Sequence, residues 1–262
     1  MEKKILYLLT CVGLCWSSCT NEVDEFIGNV EPSTRSVSTA LNANLASLFT
    51  GGAPTLTSAE FKEVNDAYAK MTSINCYRNI DEAVRNKTSY AGTIFLDDTY
   101  ASAYFRKGSL AFPPYGILAS SMEHEFIHMY QRDVQGKKVD TDKEKRDTGM
   151  MEFELAFYQG IIRYIHAGYS WTFKGEDGAP SYQSLWTSGL TDPSLIPQYE
   201  REFQTYVASI CANGKPTSID INEFVKWSNI FGEYSRGYSG KGYKFGNYDY
   251  GTSCINSLLK LY

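Results

Sequence analysis

Two kinds of hydrophobic pattern succeed each other along the chain, and their order predicts the architecture. Thr57-Ser58-Ala59-Glu60 has the form of a capping box, in which the Thr57 hydroxyl and the Glu60 carboxylate each satisfy a free amide of a first helical turn. Phe61, Val64, Tyr68 and Met71 follow at helical spacing, so a helix is expected over 58–72, with a second, short one around 81–85. The pattern then turns strand-like. Thr93-Ile94-Phe95-Leu96, Ala103-Tyr104-Phe105 and Ser109-Leu110-Ala111-Phe112 read as short strands, and Pro113-Pro114 stops the last of them. From residue 117 the helical period returns, with helices expected at 117–132, 150–168, 198–212 and 220–231 before an aromatic, Gly-rich tail. The expectation is an α+β fold, a small β-sheet followed by a mainly helical portion.

The N-terminus obeys a different logic. Met1-Glu2-Lys3-Lys4 is a short basic start, and Ile5 to Trp16 is an apolar run of 12 residues, too short to cross a bilayer, which takes about 20 helical residues. It reads as an export signal. The run ends Trp16-Ser17-Ser18-Cys19, and small residues before a Cys resemble the lipobox of bacterial lipoproteins, although Trp16 stands where that pattern usually has Leu, Val or Ile. The resemblance implies cleavage before Cys19 and a lipid on that Cys. Thr20-Asn21-Glu22-Val23-Asp24-Glu25 is loosely similar to the surface-export signals of Bacteroidota lipoproteins. The organisation expected is a signal peptide at 1–18, a lipidated tether at 19–52 and one folded domain at 53–262.

Composition narrows the function classes. The 262-residue chain is 43% hydrophobic and 21% charged, with 20 Tyr, 14 Phe and 4 Trp, which excludes a disordered chain. Its formal net charge of −5, without a basic run, argues against nucleic acid as a partner. Cys76, Cys211 and Cys254 have no C-x-x-C spacing, so neither a redox dithiol nor a Cys-rich zinc knuckle is supported. One disulfide among them and buried free thiols are the two readings left.

The chemistry concentrates in His124-Glu125-Phe126-Ile127-His128, an H-E-x-x-H pattern on a strongly helical segment. Residues four apart share a helix face at about 6 Å, so both imidazoles can close on one metal at about 2.0–2.1 Å. Glu125, turned about 100° from His124, is placed to take a proton from a water on that metal. Leu118, Met122, Phe126 and Met129 form an apolar stripe for the core, while Ile117, Ser121, His124, His128 and Gln131 form the neighbouring stripe.

A third ligand decides the class. The metzincin extension needs Gly and His where this chain has Gln131 and Val134, which excludes it. Downstream lies Gly149-Met150-Met151-Glu152-Phe153-Glu154-Leu155-Ala156-Phe157. Together with H-E-x-x-H this resembles gluzincin-type zinc metallopeptidases, and more narrowly Bacteroidota lipoproteins with H-E-x-x-H-x-Y-Q followed by an E-F-E helix. The resemblance covers about residues 93–168, and H-E-x-x-H is its one specific motif. It implies a zincin-like domain with zinc on His124, His128 and a glutamate of the next helix, Glu125 as general base, and a peptide or protein substrate. Ala156 departs from the family, which often has Asp there.

Helix stripes choose between the two glutamates. Glu152 shares its stripe with Ala156, Gln159 and Arg163, whereas Glu154 shares its own with Tyr158, Ile161 and Ile165. Glu152 is taken as ligand and Glu154 as its supporting partner or a bare surface carboxylate. His166, 14 residues beyond Glu152 and so about 21 Å away on an unbroken helix, is read as structural. Segment 140–144 lacks the Gly of a calcium loop and is read as a solvated loop. Tyr238, Tyr243 and Tyr248 are read as a Tyr/Gly packing loop or as a cleft wall offering a phenol. The competing function is a non-catalytic surface lipoprotein that binds glycan or host protein.

The N-terminal reading has a direct test. Cys19→Ala is expected to release the protein from membranes, scored by partition between membrane pellet and supernatant. Continued pelleting of the variant, with no lipid on the wild type, would refute it.

Overall fold

The computed structural model describes residues 40–137, 145–166, 173–174, 180–181 and 190–262. The signal, Cys19 and segment 140–144 lie outside the described residues. The fold is α+β, and the chain divides into two compact units at Val134/Gln135.

The N-terminal unit opens earlier than expected. Helix α1 (Ala43–Leu48) is capped by Asn42, whose side chain accepts from the Asn44 amide, and Leu45, Leu48 and Phe49 are buried. The Thr50 and Gly51 amides then bond to the Tyr90 and Gly92 carbonyls. Leu45, Leu48 and Phe49, at i, i+3 and i+4, give this stretch of polar composition an apolar face.

Helix α2 (Ser58–Ser73) carries the expected capping box, with both reciprocal bonds formed between Thr57 and Glu60. It is followed by α3 (Asn75–Lys87), longer than expected. Tyr68 of α2 and Arg85 of α3 both donate to the buried Asp81 carboxylate, at 2.8 and 2.9 Å. Burial and the Asp81 charge push the Tyr68 phenol up, which keeps it protonated as the donor. Strands β1 (Ile94–Leu96), β2 (Tyr104–Arg106) and β3 (Ser109–Phe112) form a sheet of order β1-β3-β2, with β1 parallel and β2 antiparallel to β3. Helix α4 (Ala119–Met129) packs on α2, α3 and β2, with Met122, Phe126 and Met129 buried.

The C-terminal unit is organised around α5 (Lys145–His166). Its residues from Phe153 to Ile162 are all buried, so this helix is wrapped on every side. Two-residue ladders pair β4 (Phe173–Lys174) with β5 (Pro180–Ser181). Helix α6 (Ile196–Ile210) stops two residues before the expected end, because Asn213 and Gly214, at φ 54° and 74°, turn a hairpin between β6 (Cys211–Ala212) and β7 (Lys215–Pro216). Helix α7 (Ile221–Tyr234) is capped by Asp220, and α8 (Ser253–Leu259) falls in what read as an irregular tail. Phe153 and Phe157 of α5, Phe203 of α6, and Phe224, Trp227 and Phe231 of α7 form one aromatic cluster with ring centroids 5.0–5.8 Å apart.

One close approach in this unit has a cost that can be measured. A Cβ at Gly149 would lie 2.8 Å from the Lys244 carbonyl oxygen and 3.2 Å from the Tyr243 Cβ. Backbone cannot yield as a side-chain tip can, and overpacking of this sort costs about 1–3 kcal/mol, against roughly 1 kcal/mol gained when Ala replaces Gly in a helix. Gly149→Ala is thus expected to destabilise the protein by about 1 kcal/mol net, measured by chemical denaturation; a gain in stability would show that the 243–244 segment does not rest on α5.

Candidate metal centre

The apolar stripe of α4 turns inward, and Tyr68 and Phe126 meet with ring centroids 6.2 Å apart. Anchoring that stripe leaves His124 and His128 half-buried on the adjacent face. Their Nε2 atoms lie 3.1 Å apart and their rings meet edge to face. Two ring nitrogens at that separation share either one proton or one cation. Tetrahedral ligands at about 2.0–2.1 Å from zinc stand about 3.3 Å from one another, close to the spacing found here.

Gln131 orients one of the rings. It is fully buried, and its Oε1 lies 2.8 Å from His128 Nδ1. With Oε1 as acceptor, Nδ1 carries the proton and the Nε2 lone pair is left for a metal, the usual way a histidine ligand is set by its second nitrogen. Sequence reasoning placed Gln131 on the histidine stripe but gave it no role. Its i+3 spacing from His128 is the local signal for that role, whereas its burial has no local mark.

The helix does not simply continue to residue 132 as expected. Tyr130–Val134 form a π-helical turn. Asp133 in it accepts from the Tyr90 hydroxyl, and from the Arg132 Nε and Nη2 at 2.8 and 2.6 Å. The Arg132 guanidinium lies over the Phe105 ring, 4.3 Å from its centroid. These contacts tie the end of the histidine helix to α3's outgoing loop and to β2. Burial, and then Asp133, push the Tyr90 phenol up, so it remains a proton donor.

Glu125 is 4% exposed, with its Oε1 4.0 Å from His124 Nε2. A carboxylate so placed, beside but not between the imidazoles, suits proton transfer better than ligation.

In the C-terminal unit, Glu152 and Glu154 have different surroundings. Glu152 is half-buried, and Tyr238 donates its hydroxyl to Oε2 at 2.9 Å. Burial, together with the Glu152 charge, raises the Tyr243 phenol. Glu154 is fully buried, which removes the surface-carboxylate reading, and Tyr250 donates to its Oε2 at 2.9 Å. Cys254 also hydrogen-bonds Glu154, and burial, then that carboxylate, push its thiol up. Of the three tyrosines singled out in the sequence, Tyr238 and Tyr243 stack edge to face at 5.5 Å, while Tyr248 is 57% exposed. His166 ends α5 against the ring of Tyr262. Among the described residues, Cys76, Cys211 and Cys254 are not joined in a disulfide.

His124, His128 and Glu152 each offer one ligand atom, and those atoms all lie within 4.8 Å of one another. This two-nitrogen, one-oxygen group could hold a metal ion, and its donors are those that divalent zinc accepts. Comparison of the chain with protein-family models, with curated proteins and with solved structures finds no match.

The two glutamates should separate in experiment. Glu152→Ala is expected to lower zinc affinity by orders of magnitude with little loss of stability. Glu154→Ala should keep the metal and lose about 1–3 kcal/mol, because buried donors lose their acceptor. Zinc content after dialysis against a weak chelator, paired with denaturation curves, gives the comparison. The reverse pattern would move the ligand to Glu154.

Proposed function

We propose that the chain is a zinc-dependent hydrolase of the gluzincin kind, cleaving peptide bonds. The observation that carries this reading is the group His124, His128 and Glu152, with their ligand atoms within 4.8 Å, together with Glu125, a buried carboxylate on the helix that carries the two histidines. A zinc ion held by that group supplies a water of lowered pKa and polarises the substrate carbonyl.

The remaining work falls to this chain's own residues. Glu125 takes the proton of the attacking water and returns it to the leaving amine, which balances the reaction without another acid. Its burial strengthens the interaction with the developing charge by excluding solvent. His128 is held in one tautomer by Gln131, so the ring need not reorient when a metal arrives. The N-terminal pattern supports an exported enzyme tethered by lipid on Cys19 to the outer membrane, facing the periplasm or the cell surface.

Glu125→Ala deletes the proton acceptor and no ligand. Zinc content and fold should therefore persist while turnover of a diverse peptide library falls by about 100-fold or more. Wild-type protein that holds zinc but cleaves no member of the library would favour the binding-protein reading instead.

A further inference from the structure

We propose that Tyr238 is a positioning residue for Glu152, and that the glycine-seated segment carrying it, residues 235–246, sets how tightly the metal is held. The proposal rests on the zinc reading above and concerns what prepares the third ligand. Tyr238 donates to Glu152 Oε2 at 2.9 Å. A half-buried glutamate has three side-chain torsions to fix before it can ligate, and a hydrogen bond made on folding fixes them in advance. A carboxylate has lone pairs enough to accept from a phenol and still bind a cation.

What makes the contact more than incidental is how firmly Tyr238 is placed. Its amide bonds to the Ser235 carbonyl at 3.0 Å, as does that of Ser239 at 2.8 Å. Its ring packs on Phe231 at 5.1 Å, Tyr243 at 5.5 Å and Phe245 at 6.4 Å. The Gly246 amide then bonds to the buried Ser228 hydroxyl at 3.0 Å.

Two glycines admit this segment. A Cβ at Gly232 of α7 would strike the Phe245 ring at 2.2 Å, and one at Gly149 of α5 would meet the 243–244 backbone. Gly149 precedes Glu152 by three residues, so it lies on the same face, one turn back. Removing a side chain there clears the surface along which the tyrosines reach the carboxylate. The segment, its two seats and its contact with Glu152 all belong to the C-terminal unit.

The test uses the full chain and zinc alone, titrated in competition with a chromophoric chelator. Tyr238→Phe removes one hydroxyl and should weaken zinc binding by about 10–100-fold, the usual effect of losing a partner behind a metal ligand. The melting temperature of the metal-free protein should stay close to wild type. Tyr248→Phe, the same change at an exposed position, should leave the affinity unchanged. Gly149→Ala, which displaces the segment while keeping the hydroxyl, should weaken zinc in the same direction, and it provides the second route if Tyr238→Phe does not fold. Affinities of Tyr238→Phe and Gly149→Ala within threefold of wild type would overturn the proposal and leave the zinc site standing. A wild-type chain that takes up no zinc would overturn both.

Discussion

Much of the N-terminal unit depends on holding two imidazole nitrogens of one helix 3.1 Å apart. Neutral or charged, a pair that close is unfavourable unless a proton or a cation lies between the nitrogens. The rings must therefore be prevented from rotating away. The helix does this from three directions: Met122, Phe126 and Met129 fix its rotation about its own axis by burial, Gln131 fixes one ring, and the Tyr90–Asp133–Arg132 group fixes where the helix ends. Burying polar groups such as Gln131 and Asp81 costs free energy that hydrogen bonds offset: Gln131 bonds to His128, and Asp81 accepts two bonds on Oδ2, while its Oδ1 is without a hydrogen bond among the described residues.

The C-terminal unit solves the complementary problem. A helix buried on nearly every side offers few positions where a charge can sit, and in the stretch from Gly149 to Ile165 only Glu152 and Arg163 are half-buried. Two residues further along, Glu154 faces the interior and is accommodated by a phenol and a thiol that burial keeps protonated. The same side chain thus has two fates within one turn, decided by which neighbours the helix presents to it. Rotation by about 200° separates them.

The readable parts of the sequence were those with local physics. The capping box at Thr57 and Glu60, the three short strands and the helix bearing H-E-x-x-H all follow from spacing and from side chains acting on nearby backbone. The stripe argument chose Glu152 by its companions Ala156, Gln159 and Arg163, yet Ala156 and Gln159 are buried, and the position is also marked by Tyr238, which donates to it from a segment far along the chain, and by Tyr243 beside it. Such long-range partners leave no mark in the local pattern. Other departures had local signals that composition hid. Leu45, Leu48 and Phe49 stood among Ser, Asn and Thr, the Asn213-Gly214 pair that ends α6 early was absorbed into a helical run, and Cys254, Ile255, Leu258 and Leu259 were overshadowed by the Gly and Tyr before them.

The cysteines have a use of their own. Each unit contains a sequestered thiol, Cys76 in the first and Cys254 in the second, whereas Cys211 is partly open to solvent. A thiol shielded from water is inert to alkylating reagents until its surroundings open. The rates at which Cys76 and Cys254 become labelled would therefore act as two internal clocks, each timing the opening of its own half of the chain.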